Sequence, residues 1–288
     1  MIPIEFYLLE LQKLLLDYDS CQILQQKDGI TVARIHASGK SLIFKAFEKA
    51  EHRREISNYA LLNSLAIPTP RILAATDGAL LMEDLQESRF WRLGVAADMA
   101  DPRTAAKLAQ WYRLLHDNGA DYAAAHGQHL YDESDFFTAE NLQSVLQKSG
   151  AGDSPACRLL LSRFRDLRAA VDSVPRTLCY NDFNYTNFAV ARDGSAAMMF
   201  DYNLLGKGFR YCDVRNACYD LSDAAESAFL AEYGPTDPLE QLIDEITSPV
   251  IALHIAYQRS AFPAWAQPSL KTLTTSEYAD KIQRLLNG

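Results

Sequence analysis

The most informative part of this chain is the stretch CYNDFNYTN at residues 179–187. It contains Asp182 and, five residues later, Asn187, and a strand-like run over residues 196–200 then leads into Asp201. Phosphoryl transfer uses one carboxylate to align the attacking hydroxyl, and an amide oxygen with a second carboxylate to hold magnesium. Each residue alone is typical of a turn, a cap or a strand end. The three spacings together favour a phosphoryl-transfer site.

The same residues resemble the catalytic elements of the aminoglycoside phosphotransferase and choline kinase family, which shares its fold with protein kinases. The family's catalytic loop reads His-x-Asp-x-x-x-x-Asn, and residues 180–187 follow it with Tyr180 in the histidine position. The segment Phe200-Asp201-Tyr202 is similar to the family's metal-binding element. The resemblance extends from about Gln22 to Asp220. We expect the Tyr180 hydroxyl to brace the loop by bonding nearby backbone, as the family's histidine does.

The resemblance implies a role for each polar residue of this segment. Asp182 is the expected catalytic residue, which accepts a hydrogen bond from the acceptor hydroxyl and aligns it for in-line attack. Asn187 and Asp201 are the expected metal ligands, because Mg²⁺ prefers hard oxygen ligands and keeps several of its waters. The implied cofactors are therefore ATP and Mg²⁺.

The rest of the chain is predicted to be a small sheet followed by a helical body. Periodicity and turn residues predict helices at residues 6–16 and 51–65 and strands within residues 21–47, 71–75 and 79–82. From residue 102 onward the pattern is mostly helical, and the clearest helix, at 239–257, is expected to break at Pro249. This order is typical of the α+β, protein-kinase-like bilobal fold, with a small N-terminal antiparallel sheet, one inserted helix and a larger, mainly helical C-terminal lobe.

We divide the chain accordingly into three functional segments. Residues 1–82 form the predicted N-terminal nucleotide-binding lobe, and residues 83–86 form the hinge. Residues 87–288 form the predicted helical C-terminal lobe, with the catalytic loop and the substrate pocket.

Lys45 lies within the apolar run IFKAF at residues 43–47. Taken alone, a lysine in this setting is more often at a solvated strand edge than in a binding site. The hairpin that contains it and the helix that follows reverse this weighting, since the resembling family carries its phosphate-binding lysine on this strand. The expected partner, which orients the lysine, is Glu55 on the next helix, with Glu48 and Glu51 as alternatives.

The segment after the strand at residues 80–82 resembles the hinge of this family. We expect four residues to contact the nucleotide there, with backbone groups pairing with the adenine edge: Met82, Glu83, Asp84 and Leu85. The loop that covers the phosphates is weakly marked, because residues 26–29 offer a single glycine.

Composition narrows the class of protein and of partner. The 288 residues carry a formal net charge of −9 and are 48% hydrophobic, which is ordinary for a soluble globular chain. Nucleic acids and anionic membranes require clustered Lys and Arg, so we expect neither as a partner. No apolar run approaches the ~18 residues of a membrane span, and the first residues lack a secretory-signal pattern. Five scattered cysteines suit a reducing compartment, so we expect a cytoplasmic protein.

These residues predict an ATP- and Mg²⁺-dependent phosphotransferase that acts on the hydroxyl of a small molecule, such as an aminoglycoside, choline, ethanolamine or a sugar-like acceptor. The net negative charge permits a cationic acceptor. Acidic residues available to receive amine groups are Asp220, Asp223, Glu226, Asp244 and Glu245. One alternative is a nucleotide-binding pseudokinase with a regulatory role. Tyr180 and the weak phosphate loop give it slight support, whereas the presence of Lys45, Asp182, Asn187 and Asp201 speaks against it. A purely structural interaction module is a third class, and it would bind no nucleotide in a magnesium-dependent way.

Overall fold

The structure is a computed structural model that describes residues 4–14 and 17–287. It has an antiparallel sheet at the N-terminal end and a mainly helical C-terminal part. The fold class predicted from the sequence, α+β, is confirmed.

The N-terminal sheet has five antiparallel strands in the order β1-β2-β3-β5-β4. The strands are β1 (Ser20–Lys27), β2 (Ile30–Ala37), β3 (Lys40–Phe47), β4 (Ile72–Ala75) and β5 (Ala79–Glu83). Helix α1 (Ile4–Leu14) precedes the sheet, and α2 (Arg54–Ser64) is inserted between β3 and β4. The turn between β1 and β2 is tight because Asp28 and Gly29 both have positive φ, which suits the Asp-Gly pair of a two-residue hairpin.

The two faces of this sheet differ in what covers them. One face forms a hydrophobic core with α1, whose buried members include Tyr7, Leu11, Ala33, Phe44 and Leu81. Lys45 follows Phe44 directly, and successive residues of a strand point to opposite faces. Lys45 therefore projects from the face that α1 does not cover, together with its cross-strand partners Val32 and Leu80.

The predicted element boundaries are close to the observed ones. The helix predicted at 6–16 begins at Ile4, and its predicted last two residues, 15 and 16, lie outside the described residues. The helix predicted at 51–65 is a 3₁₀ turn at Ala50–His52 followed by α2. A short strand, β6 (Trp91–Leu93), was not predicted.

The chain groups into two compact units. The first unit contains the residues up to Gly119 together with Tyr180–Leu205 and Asn216–Gly234. Besides the five-stranded sheet it has a three-stranded sheet in the order β10-β9-β6. In it, β9 (Phe188–Ala191) and β10 (Ala197–Met199) form a hairpin, and β10 ends two residues before Asp201. Helix α8 (Asp223–Tyr233) also belongs to it. The proposed lobe boundaries at residues 82 and 87 concern function and stay a prediction.

The second unit contains Ala120–Cys179, Gly206–Arg215 and the residues from Pro235 onward. Its three short strands are β7 (Tyr131–Asp132), β8 (Thr177–Cys179) and β11 (Gly206–Gly208). Its helices are α4 (Ala139–Ser149), α5 (Pro155–Ser162), α6 (Phe164–Ser173), α9 (Pro238–Ala256), α10 (Gln267–Thr272) and α11 (Ser276–Asn287). These helices enclose one hydrophobic core. Two further helices, α3 (Pro102–His126) and α7 (Arg210–Cys218), contribute residues to both units.

One predicted feature of the second unit is wrong. Helix α9 continues through Pro249 instead of breaking there. Proline removes one backbone hydrogen bond of the helix, but the residues around it, Ile246, Val250 and Leu253, are fully buried in the core. Tertiary packing therefore holds the helix together across the proline. Within residues 4–14 and 17–287, no helix combines the length and hydrophobicity needed to cross a bilayer.

The backbone at Gly94 approaches the ring of Phe188 so closely that only glycine fits. A Cβ atom at Gly94 would lie 2.5 Å from a ring carbon of Phe188, and the Gly94 amide donates to the Phe188 carbonyl at 2.7 Å. Phe188 is fully buried, so its ring has little room to move. We expect Gly94→Ala to lower the free energy of unfolding by about 1–3 kcal/mol through overpacking, measured by urea denaturation.

The matched control is Gly152→Ala. Nothing lies within 4 Å of a Cβ atom at Gly152, so this variant should differ from the wild type by less than about 0.5 kcal/mol. Equal stabilities for the two variants would contradict the close packing at Gly94.

Candidate active site

Lys45 forms a buried ion pair with Glu55. Its Nζ lies 2.8 Å and 2.7 Å from the two carboxylate oxygens of Glu55, which is on α2 and is fully buried. Lys45 itself is 7% exposed. Strand β3 supplies the lysine and the following helix supplies the acid, so the expected pairing is present in the structure.

The two alternative partners of Lys45 lie elsewhere. Glu48 is exposed. The carboxylate of Glu51 is also exposed and lies 3.9 Å from Lys49 and 3.7 Å from His52. Of the three candidate acids, Glu55 is therefore the one that pairs with Lys45.

Asp201 is the second carboxylate in contact with Lys45, at 2.7 Å between Lys45 Nζ and Asp201 Oδ1. It follows β10 and has a φ of +65°, a left-handed conformation that costs a residue other than glycine conformational energy. Asp201 is 156 positions from Lys45 in the sequence. The fold thus brings the predicted phosphate-binding lysine and the predicted metal-binding carboxylate into direct contact.

The backbone on both sides of Asp201 is fixed by side chains from other elements. The Tyr180 hydroxyl donates to the Phe200 carbonyl at 2.6 Å, and Asn58 Nδ2 donates to the Tyr202 carbonyl at 2.7 Å. Tyr180 therefore bonds the backbone that precedes Asp201, as expected for a residue that takes the histidine's place. These bonds explain how the strained backbone at Asp201 is held.

The loop that carries Asp182 and Asn187 is held at both ends. Asn181 also has a positive φ, of 66°, and its side chain donates to the Leu204 carbonyl at 3.1 Å. The Asn187 amide closes a 3₁₀ turn on the Asn184 carbonyl at 2.8 Å. The Asn187 carbonyl in turn accepts from the Phe200 amide at 2.9 Å, so the loop is bonded to the residue before Asp201.

The charges of this site shift one another's pKa. Burial, helped by the negative charge of Asp201, raises the pKa of Asp182 to about 6 although the Lys45 ammonium opposes this. Burial likewise raises the pKa of Glu55 to about 7, against the opposing effect of Lys45 and with the support of Asp201. Burial works to lower the pKa of Lys45, but the two carboxylates outweigh it and the pKa is raised. The charges of Asp201 and Lys45 therefore both act on the Asp182 carboxylate.

The predicted hinge residues lie at the end of β5, with their side chains engaged by the protein. The Asp84 carboxylate accepts from Arg34 Nε at 2.6 Å and from Ser41 Oγ at 2.7 Å. A Glu83 carboxylate oxygen accepts from the Arg71 amide at 2.9 Å. Burial alone would raise the pKa of the Asp84 carboxyl group, but the hydrogen bonds from Arg34 and Ser41 outweigh burial, so this pKa is lowered. The two carboxylates thus have structural partners, and Met82 and Leu85 are buried apolar neighbours.

Sequence reasoning missed four residues that shape this site. They are Asn58, Arg34, Ser41 and Tyr59. Asn58 carried a usable signal, because it is a polar residue next to Tyr59 on the apolar face of α2. The Tyr59 ring meets Tyr202 edge to face, with centroids 4.8 Å apart. Arg34 and Ser41 gave no signal, since their role depends on the cross-strand register.

We expect Tyr180→Phe to remove the hydrogen bond that the Tyr180 hydroxyl donates to Phe200 and to leave that partly buried carbonyl without this donor. The loss should lower the free energy of unfolding by about 1–3 kcal/mol. It should also loosen the segment that carries Asp201. Urea denaturation measures the first effect, and the Mg²⁺ concentration needed for half-maximal activity measures the second.

Tyr278→Phe is the control for this variant. Tyr278 is equally buried and donates to a backbone carbonyl, that of Ile246, inside the second unit. It should lose similar stability with no change in the Mg²⁺ requirement. An identical Mg²⁺ requirement in both variants would show that Tyr180 has no part in positioning Asp201.

A protein-family model described as the phosphotransferase enzyme family matches residues 24–240. The chain belongs to this family. The resemblance inferred from the sequence is confirmed, and so is the assignment to the phosphotransferase class of enzymes. No curated protein sequence matches the chain significantly.

Solved structures of kinases share this fold at low sequence identity. The choline kinase LicA from Streptococcus pneumoniae is 15% identical with a TM-score of 0.61, covering 95% of this chain and 96% of that one. The macrolide 2'-phosphotransferase MphH from Brachybacterium faecium is 16% identical with a TM-score of 0.61, covering 95% and 99%. The spectinomycin phosphotransferase APH(9)-Ia, in complex with ADP and spectinomycin, is 12% identical with a TM-score of 0.61, covering 98% and 97%. At these identities the likeness establishes the fold.

Proposed function

We propose that this protein transfers the γ-phosphoryl group of ATP, in the presence of Mg²⁺, to a hydroxyl of a small molecule. The observation that carries the proposal is the contact of the Lys45 ammonium with both Glu55 and Asp201. A lysine held by a helix acid beside a metal-binding carboxylate is the arrangement of the kinase phosphate site. ADP in the spectinomycin phosphotransferase complex supports an adenine nucleotide as the donor.

The side chains of Asn187 and Asp201 fit magnesium. They offer an amide oxygen and a carboxylate, which are hard oxygen donors of the kind that Mg²⁺ binds, and Mg²⁺ needs few protein ligands because it keeps its waters. The Phe200 amide bonds the Asn187 carbonyl, which ties the two ligand-bearing segments together. When bound, the metal would neutralise negative charge on the phosphates.

The chain's own residues supply binding and alignment. The Lys45 ammonium binds the α- and β-phosphates, and Glu55 holds the long lysine side chain in the orientation this requires. The Asp182 carboxylate accepts a hydrogen bond from the acceptor hydroxyl and directs its oxygen at the γ-phosphorus. It receives the hydroxyl proton as the new oxygen–phosphorus bond forms and the bond between the γ-phosphorus and the β,γ-bridging oxygen breaks, so that ADP leaves. Because the transition state is loose, position contributes more than basicity.

The acceptor is a small molecule with a free hydroxyl, and we propose a cationic one. The net charge of −9 favours attraction of cations. Two of the acidic residues considered from the sequence are already paired within the second unit. Asp244 binds Arg215 at 2.6 Å, and Glu245 binds Lys281 at 3.3 Å. Asp220 and Asp223 remain exposed. We also propose a cytoplasmic setting with no nucleic-acid or membrane partner.

Lys45→Ala and Asp201→Ala test the phosphate and metal roles. Removing the oriented cation should lower kcat/KM by on the order of 10²-fold or more. Asp201→Ala should abolish Mg²⁺-dependent turnover. The assay is ATP-dependent phosphorylation of a panel of amines, amino alcohols, aminoglycosides and sugars. Lys281→Ala, which breaks a surface ion pair of the second unit, is the control and should keep full activity.

Near-wild-type rates for Lys45→Ala or Asp201→Ala would refute the assigned roles. Magnesium-dependent ATP binding by the wild type without transfer to any acceptor would favour the pseudokinase instead.

The pH dependence tests the role of Asp182. Only the carboxylate form can take up the hydroxyl proton, so kcat/KM should rise with pH through the pKa of about 6 in the free enzyme. The free energy of unfolding should change in the opposite direction and fall as the pH rises. The folded-state pKa is raised, so the stabilising contribution of protonated Asp182 is complete below its ordinary pKa of 3.8 and is lost as pH rises through about 6.

Asp182→Asn separates these two effects. It should abolish turnover and, between about pH 4 and pH 6, the interval set by the ordinary pKa of 3.8 and the raised pKa of about 6, show a weaker fall of the free energy of unfolding than the wild type. Urea denaturation across this pH range gives the comparison. Parallel curves for the two proteins would contradict the shifted pKa.

A further inference from the structure

The register of the N-terminal sheet places Arg34 on the same face as Lys45. Arg34 is paired with Ile43, and Ile43 is paired with Met82. Ile43 precedes Lys45 by two residues, so it points to the same face about 7 Å nearer the hinge. Directly paired residues of antiparallel strands share a face. Arg34, Ile43 and Met82 therefore form a row across the sheet, between Lys45 and the hinge.

The guanidinium of Arg34 is held in one orientation by the residues after β5. Its Nε donates to Asp84 Oδ2 at 2.6 Å and its Nη2 donates to Gln86 Oε1 at 2.8 Å. The Asp84 carboxylate is fixed in turn by Ser41 Oγ at 2.7 Å and by the Gln86 amide at 3.1 Å. The Arg34 side chain is 16% exposed and that of Asp84 is 2% exposed. The planar group thus spans from β2 to the residues after β5 and is held there by hydrogen bonds at two of its nitrogens.

If Lys45 binds the phosphates, the base of the nucleotide has to extend from Lys45 toward the hinge. The row of Arg34, Ile43 and Met82 lies along that path. Ile43 and Met82 offer an apolar surface for one face of a purine. Arg34 offers a weakly hydrated, planar cation beside them, which is suited to stacking on an aromatic ring.

We propose that Arg34 is a base-binding residue of the nucleotide site, with its guanidinium lying against the purine ring. The proposal rests on the proposed function, because it takes the phosphates to be at Lys45. Asp84 and Gln86 act as positioning residues, which orient the guanidinium before the nucleotide arrives. Because an immobilised side chain loses little entropy on binding, its contact with the base adds to affinity.

The experiment compares a ligand that has a base with one that lacks it. Isothermal titration calorimetry measures the Kd of ADP and of inorganic tripolyphosphate for the wild type and for Arg34→Met. We expect Arg34→Met to weaken ADP binding about 10-fold, a loss within the range of a partly desolvated cation–π contact. Tripolyphosphate binding should change by less than about 2-fold, since the variant leaves Lys45 in place.

Two further variants complete the test. Lys45→Met should weaken ADP and tripolyphosphate alike. Arg92→Met is the matched control, because Arg92 makes a similar pair with a buried carboxylate, Asp98, at 2.6 Å in the same unit but on β6. It should lose similar stability while keeping the ADP affinity of the wild type. If Arg34→Met does not fold, Arg34→Lys takes its place, since lysine keeps the charge but lacks the planar fork.

Unchanged ADP affinity in Arg34→Met would overturn the proposal. Equal losses for ADP and tripolyphosphate would also overturn it, because they would show that Arg34 only braces the sheet. The measurement is independent of turnover. ADP binding without phosphoryl transfer would refute the proposed function while the comparison of ligands still decides the role of Arg34.

Discussion

The candidate site depends on one buried ammonium group held by two carboxylates. Lys45 is in the middle of the five-stranded sheet, where a cation without partners would be strongly disfavoured. Two carboxylates balance the charge of Lys45. Glu55 is on helix α2, and Asp201 is in the segment after β10, far from α2 in the sequence. Removing one partner of such a buried pair typically costs about 3–5 kcal/mol. The pairing thus connects strand β3, helix α2 and the segment around residue 201, so the stability of the first unit and the geometry of the site have a common origin.

Holding Asp201 against this ammonium requires a backbone conformation that is unfavourable by itself. Its positive φ persists because the flanking carbonyl groups are each bonded by a buried side chain, Tyr180 on one side and Asn58 on the other. Asn58 lies on the same helix as Glu55, so α2 binds both the lysine and the segment after Asp201. Rigid packing of the aromatic rings of Tyr59, Trp111 and Tyr180 around Tyr202 adds to this. The strain is confined to the backbone at Asp201, whereas the contacts that offset it come from α2, from α3 and from Tyr180 after β8.

The sequence predicted those parts of the site that depend on local spacing. Lys45 and Glu55 are 10 residues apart, on a strand and the helix after it, and both elements had clear patterns. The spacing of Asp182, Asn187 and Asp201 indicated a catalytic loop followed by a metal-binding segment, and the roles of these three residues stay a prediction. The contact of Arg34 with Asp84 could not be predicted, because it follows from strand register across 50 residues. The continuity of α9 through Pro249 was mispredicted for a related reason, since local propensity favours a break and only the surrounding core prevents it.

The same charge distribution explains why this site should bind a divalent cation. The Lys45 ammonium contacts the carboxylates of Glu55 and Asp201, and the charges of Asp201 and Lys45 both act on the carboxylate of Asp182. The pKa is raised to about 7 for Glu55 and to about 6 for Asp182. Burial is the larger cause in both, and the negative charge of Asp201 adds to it. A divalent cation at Asn187 and Asp201 would cancel the repulsion that Asp201 exerts on Asp182 and so lower the pKa of the latter. Asp182 would then be ionised over a wider pH range when metal is bound. If the proposed metal binds there, its binding and the ionisation of Asp182 would be coupled through the charge of Asp201.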